Sequence, residues 1–123
     1  MSTINDTVAG YIAAWNETDA GRRRDIIARI WSEDGSYLDA HRDGTGHAAI
    51  DAMIGVVQQQ FPGYRLRLSS SIEAHHDRVR FSWSAGGTEH APLFIGGTDF
   101  ATLTQDGRLR AVTGFIDATP SLG

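Results

Sequence analysis

Ser36-Tyr37-Leu38-Asp39-Ala40-His41 places a lone carboxylate in the middle of what reads as a short strand, lodged between helical patterns on either side. Strand residues alternate faces, so Tyr37, Asp39 and His41 share one. If that face looks into a pocket, Asp39 is a candidate base. If it looks at water, Asp39 is a surface acid satisfied by Arg42 or by the N-terminus of the next helix.

Working outward, Ile4, Val8, Tyr11, Ile12 and Trp15 recur at three- and four-residue spacing, which predicts an amphipathic helix over Thr3–Asn16 with the Tyr11 hydroxyl as the polar tip of its buried face. Asp19 stands where an N-cap belongs, ahead of a second stripe of Ile26, Ile27, Ile30 and Trp31. Arg22, Arg23 and Arg24 fall mainly on its polar side and read as a solvated face. Glu33-Asp34-Gly35 ends that helix, Arg42-Asp43-Gly44-Thr45-Gly46 is loop chemistry, and Ile50, Met53, Ile54, Val57 and Phe61 form a third stripe. From Tyr64 the period changes to two. Tyr64, Leu66 and Leu68 alternate with arginines and serine, as do Val79, Phe81 and Trp83, with a turn near His76-Asp77. Leu93–Thr104 and Leu109–Asp117 follow as strands joined at the Asp106-Gly107 turn. The sum is helix, helix, strand, helix and four antiparallel strands, an α+β plan in which helices cover one face of a curved sheet.

The 123 residues are enough for one domain with a single core, and 41% hydrophobic with 21% charged residues is the composition of a globular protein. No run approaches the ~20 apolar residues of a membrane span, and no basic start with an apolar core marks a leader, so the cytoplasm is the expected location. Cysteine is absent, which removes disulfides, thiolate nucleophiles and Cys-ligated zinc. All eleven basic residues are arginine, which leaves no lysine for a Schiff base or a phosphate-binding loop. A net charge of −4 argues against nucleic acid as a partner.

Three local patterns carry a family resemblance: Tyr11-Ile12-Ala13-Ala14-Trp15-Asn16 followed by Asp19, Tyr37-Leu38-Asp39 before a Gly-opened helix, and Thr98-Asp99-Phe100 ahead of Asp106-Gly107-Arg108-Leu109. With the order of elements they resemble the NTF2-like superfamily, whose cone-shaped α+β barrel is shared by ketosteroid isomerase, SnoaL-like polyketide cyclases, scytalone dehydratase and limonene epoxide hydrolase. The resemblance covers nearly the whole chain. It implies three N-terminal helices on a curved, mostly antiparallel sheet, a deep pocket for a small hydrophobic ligand, no cofactor, and a homodimer through the outer sheet face. Ketosteroid isomerase moves a proton with an Asp base while a Tyr and a protonated Asp hold the dienolate oxygen. By resemblance those roles fall on Asp39, Tyr11 and Asp99. In the isomerases further tyrosines support the oxyanion tyrosine; Trp31 and Ile54 stand at the corresponding positions here.

Asp99 is the more unusual acid, because it interrupts the apolar positions of a strand that ought to be central. A buried acid must be paired, hydrogen-bonded or protonated. The expected pocket lining is Trp15, Trp31, Tyr37, Met53, Val57, Phe61, Phe81, Trp83, Phe94, Val112 and Ile116, with His41 and His90 as possible auxiliaries. No metal site is expected: His75 and His76 are adjacent, His41 and His47 flank a loop, and no His-Glu-x-x-His pattern exists. Gly44-Thr45-Gly46-His47 superficially matches a dinucleotide fingerprint, but no parallel βαβ pattern surrounds it. Arg65, Arg67, Arg78 and Arg80 read as a basic outer face. Two alternatives stay open, a non-catalytic binding or dimerisation module and an epoxide hydrolase, which would need an Asp-Arg-Asp set where no arginine sits clearly on an inward strand face.

Overall fold

The computed structural model of the chain describes residues 3–87 and 95–117. Helix α1 (Ile4–Asn16) starts at a reciprocal cap: Asp6 N–H donates to the Thr3 hydroxyl (3.1 Å) and Thr3 N–H donates to the Asp6 carboxylate (3.2 Å). Helix α2 (Ala20–Ile30) is capped by Asp19, which accepts from Arg22 N–H at 2.8 Å. Strands β1 (Trp31–Leu38) and β2 (Asp43–Thr45) follow, then helix α3 (His47–Gln60), entered through Gly46 at φ 89°, a conformation suited to glycine. The remainder is β3 (Arg65–Leu68), β4 (Glu73–His75), β5 (Arg78–Gly86), β6 (Ile95–Leu103) and β7 (Leu109–Ile116).

The seven described strands form one curved sheet in the order β2-β1-β7-β6-β5-β3, with β4 paired to β5. Neighbours run antiparallel except β1 and β7, which are parallel, so the sheet is mixed. It does not close into a barrel: β2 and β3 are its ends, and the helices cover the concave face. Tyr11, Ile27, Trp31, Ile50, Ile54, Leu109 and Val112 form the fully buried centre between the layers.

Several local expectations are corrected. Trp31 opens β1 instead of closing the second helical stripe, because α2 ends at Ile30 and the chain turns extended there. Glu33-Asp34-Gly35 lies inside β1, where the pairing with β7 shifts register between Trp31 and Ser36; an irregularity of this kind absorbs polar residues in a strand. Asp43–Thr45 is a short strand and not free loop, since it pairs back on Ser36–Leu38. Arg23 is buried, not solvated. Its guanidinium donates to Asp51 (2.7 Å), the Gln58 side-chain oxygen (2.7 Å) and the Glu17 carbonyl (3.2 Å), ties α2 to α3 and the end of α1, and so is compensated inside the fold. Arg80 on the outer face is paired with Glu73.

Candidate active site

The sheet register assembles the site. Phe81 of β5 pairs with Asp99 of β6, and Asp99 pairs with Gly114 of β7. Leu38 of β1 pairs with Thr113, so Asp39, one residue beyond, arrives beside Gly114. A side chain at Gly114 would collide with what meets there: a Cβ would stand 2.8 Å from Asp99 Oδ1, 3.1 Å from the Tyr37 hydroxyl and 3.5 Å from Asp39 Cβ. Gly97 does the same for Trp83, whose indole lies 2.5 Å from where a Cβ would be. Two glycines thus let two acids, a tyrosine and a tryptophan crowd one corner.

Asp99 is 1% exposed and holds two donors. The Tyr11 hydroxyl donates to Oδ2 at 2.5 Å and the Trp83 indole N–H to Oδ1 at 3.0 Å. Burial pushes its carboxyl up, the two donors oppose that, and the nearby Asp39 charge adds to it; the carboxyl is raised to about 6. Burial and the Asp99 charge likewise hold the phenols of Tyr11 and Tyr37 well above their ordinary value, so both remain neutral donors.

Asp39 is also buried, but differently satisfied. Its Oδ1 accepts from His41 N–H (2.8 Å) and Arg42 N–H (3.1 Å), and its Oδ2 from the Tyr37 hydroxyl (2.6 Å) and the Arg42 guanidinium (2.7 Å). A carboxylate has about four lone-pair sites, and all four are taken. Asp39 is buried and so is no surface acid, although the expected partner Arg42 does bond it. This arginine was missed as an inward group because it comes from the loop after β1 and not from a strand face.

A cavity of about 230 Å³ opens between α1, α3 and the concave sheet. Of the expected lining, Trp15, Tyr37, Val57, Phe61, Trp83 and Ile116 border it, together with Tyr11, Asp99 and His41. Asp39 does not border it, standing behind Tyr37 and Arg42. Trp31, Met53, Phe81 and Val112 are corrected to core positions. Tyr11 screens two of them, packing on Trp31 (ring centroids 5.4 Å apart) and Phe81 (5.5 Å), while Val112 and Met53 are covered within the interior. Phe94 and His90 lie outside the described residues. Sequence reasoning did not find Arg42, Gln58, Tyr64 and Leu66 as lining residues; for Leu66 the inward phase of its strand was the available signal. Among the described residues no group of three His, Cys, Asp or Glu side chains could hold a metal, and no helix is long and apolar enough to cross a membrane.

A three-helix layer on a curved, open mixed sheet with an acid-bearing interior pocket defines the NTF2-like fold. No protein-family model and no curated protein matches the chain. Solved structures do. A proposed isomerase of the SnoaL-like family from Agrobacterium tumefaciens str. C58 is 37% identical, with 96% of this chain and 100% of that one covered and a TM-score of 0.88. A proposed SnoaL-like polyketide cyclase from Jannaschia sp. CCS1 is 16% identical (95% and 90% covered, TM-score 0.71), and an NTF2-like protein of unknown function from Exiguobacterium sp. 255-15 is 18% identical (92% and 99%, TM-score 0.74). The last two share the fold. The first shows the family: the chain belongs to the SnoaL-like family.

Proposed function

We propose that this domain is a cofactor-independent enzyme that moves a proton next to a carbonyl on a small hydrophobic substrate, as the isomerase and cyclase proposals for similar proteins suggest. The observation that carries the reading is Asp99: a buried carboxyl, raised to about 6, on the wall of an apolar cavity. Groups tuned toward neutrality inside pockets are the acids and bases of catalysis. At pH 7 Asp99 is mostly ionised and takes the proton α to the ketone; it then returns the proton to the γ carbon of the dienolate of an unsaturated ketone, which is an isomerisation, or the enolate carbon attacks an internal carbonyl, whose C=O π bond opens to an alkoxide that takes the proton back from Asp99, which is a cyclisation. Roughly 300–1,000 Å³ is usual for drug-sized ligands, so about 230 Å³ favours a one- or two-ring ketone over a steroid.

The resemblance assigns the base to Asp39. The geometry favours Asp99, because Asp39 would have to give up a hydrogen bond before accepting a proton and does not border the cavity. Tyr11 then holds and orients the base, and Tyr37, Asp39 and Arg42 brace the corner behind it. Incubation with a panel of β,γ-unsaturated cyclic ketones, followed by ultraviolet absorbance of the conjugated product, tests the reading. Absence of conjugation across the panel, with ligands nevertheless bound, would favour the non-catalytic binding module, a reading supported by the internal bonds that occupy the Tyr11 and Tyr37 hydroxyls.

A homodimer through the outer sheet face is part of the proposal. Leu38, Phe100 and Phe115 alternate with the inward Tyr37, Asp99 and Gly114, so they share that face, and Phe115 is 67% exposed. Thr98, Thr113 and Ser82 lie beside them, and Arg80, the cross-strand partner of Phe100, is paired with Glu73, a composition suited to a second copy of the same surface. Sedimentation is expected to give twice the chain mass, and Phe115→Arg to give the monomer; a wild-type monomer at high concentration would refute this part.

A further inference from the structure

The proton-transfer reading leaves open what holds the carbonyl oxygen, and most polar groups on the cavity wall are already committed. Tyr11 and Trp83 donate to Asp99, and Tyr37 donates to Asp39. The Asn16 side chain is used in both directions by the backbone of Leu66, the Gln58 side chain by Trp15, Glu17 and Arg23, and the Trp15 indole nitrogen is buried. The side chains of His41, Arg42 and Tyr64 keep uncommitted donors among the described residues. Of these three, Arg42 is the one whose side chain is tied to the corner that holds Asp99.

The tie is geometric. Asp39 Oδ2 accepts from the Tyr37 hydroxyl at 2.6 Å and from Arg42 Nη1 at 2.7 Å. The same hydroxyl and Asp99 Oδ1 crowd one point on Gly114, 3.1 and 2.8 Å from where a Cβ would stand. Asp99, the Tyr37 hydroxyl and the Arg42 guanidinium therefore follow one another along one stretch of the cavity wall, with Asp39 behind them. A guanidinium has five N–H groups, and among the described residues a single one is spent, on Asp39. The Arg42 side chain is 23% exposed while the Asp39 side chain has no exposed surface, so the unspent N–H groups lie on the accessible side of the pair.

Charge selects the occupant. Ionised Asp39 and Asp99 bring two negative charges to this stretch of wall and Arg42 one positive, so a bound carboxylate would add a further uncompensated charge to an apolar enclosure. A ketone adds none. As Asp99 takes its proton, the negative charge passes from Asp99 to the substrate oxygen and the net charge of the enclosure is unchanged. A cation facing that oxygen interacts more strongly with the enolate than with the ketone, which is the condition for speeding the step. We propose that the Arg42 guanidinium receives the carbonyl oxygen of the substrate and holds it as the enolate forms, so that the site takes neutral ring ketones in preference to acids of the same shape. The inference rests on the proton-transfer reading and adds its oxygen anchor.

The test compares 2-tetralone with tetralin, the same rings without the oxygen. Arg42→Met, which keeps an unbranched side chain and removes its N–H groups, is expected to bind 2-tetralone about tenfold more weakly, the loss of one hydrogen bond to a charged group, and to bind tetralin as wild type does. An arginine that merely braced Asp39 would affect both ligands alike or neither, and either pattern overturns the inference. The wild-type protein supplies a second measurement that does not depend on how well this variant folds. Among the Nε–H resonances of the eleven arginines in ¹⁵N-labelled protein, the one missing from Arg42→Lys belongs to Arg42. Saturation with 2-tetralone is expected to shift it, and saturation with tetralin to leave it in place. A bound ketone that does not move this resonance overturns the inference, as does tighter binding of tetralin-2-carboxylate than of 2-tetralone at pH 7.5. The ultraviolet conjugation assay reads the proton transfer separately, so failure of the anchor and failure of the chemistry are told apart. If neither tetralin nor 2-tetralone binds, the cavity reading and the anchor fall together.

Discussion

Asp99→Asn is expected to lose about 10²–10⁴ of the turnover of an unconjugated ketone, the usual share of a positioned acid–base group, while still binding ligand. The substitution is close to isosteric. Asn can turn its oxygen to the Trp83 indole N–H and its amide to the Tyr11 oxygen, which keeps both contacts but reverses the second, so that the Tyr11 O–H loses its acceptor. Stability provides the internal control. The Asp99 carboxyl is raised in the fold from 3.8 to about 6, so the folded state binds the proton more tightly than the unfolded one. Its contribution is therefore fully present below the unfolded value and is lost as pH rises through about 6, a difference of about 3 kcal/mol over that window. Removing the ionisation should make the variant at least as stable as wild type at pH 7.5 in urea melts. A variant that unfolds at neutral pH, or one that turns over ketone at the wild-type rate, would show that Asp99 serves the fold and not the chemistry.

Asp39→Ala should do the reverse, with its main effect on stability. Its carboxylate is fully buried and ties Tyr37, two backbone N–H groups and the Arg42 guanidinium into the turn after β1. Deleting one partner of a buried ion pair costs about 3–5 kcal/mol, and Arg42 is partly exposed, so the lower end of that range is expected in urea melts. Asp39→Asn keeps part of the network and should retain turnover within about tenfold of wild type, well short of the ~10²–10⁴ lost when a general base is removed. A loss for Asp39→Asn as large as for Asp99→Asn would return the base to Asp39.

Much of the fold was legible because its signals are local. The stripes of α1 and α3, the Asp19 cap, the turn at His76-Asp77 and the Asp106-Gly107 hairpin each depend on residues within a few positions of one another. What escaped was long-range. Trp31 continues the spacing of Ile27, and only the β7 partner reveals that it begins a strand. Arg23 carries the composition of a solvated face, and its burial follows from where Asp51 and Gln58 of α3 come to lie. The parallel pairing of β1 with β7 joins segments at least 75 residues apart, as in Ser36 with Ala111, and no periodicity encodes it.

The site divides the same way. Tyr11, Asp39 and Asp99 could be singled out as residue types in family-like settings, and the structure brings Tyr11 into contact with Asp99 and Asp39 up to the other side of Gly114. How they share donors could not be read. Whether a buried carboxylate has two hydrogen bonds or four depends on a loop arginine, a glycine on a neighbouring strand and a tyrosine rotamer. That count is what separates Asp99 from Asp39 here.

The most direct test of the central claim is the pH dependence of kcat/KM for the wild-type protein on a ketone that it conjugates. If ionised Asp99 is the base, kcat/KM rises with pH and levels off above an apparent value near 6, and this limb is missing from Asp99→Asn. If Asp99 acts instead as a neutral acid donating to the enolate oxygen, activity falls as pH rises through the same region. A falling profile, or a flat one between pH 5 and 8, would contradict the account.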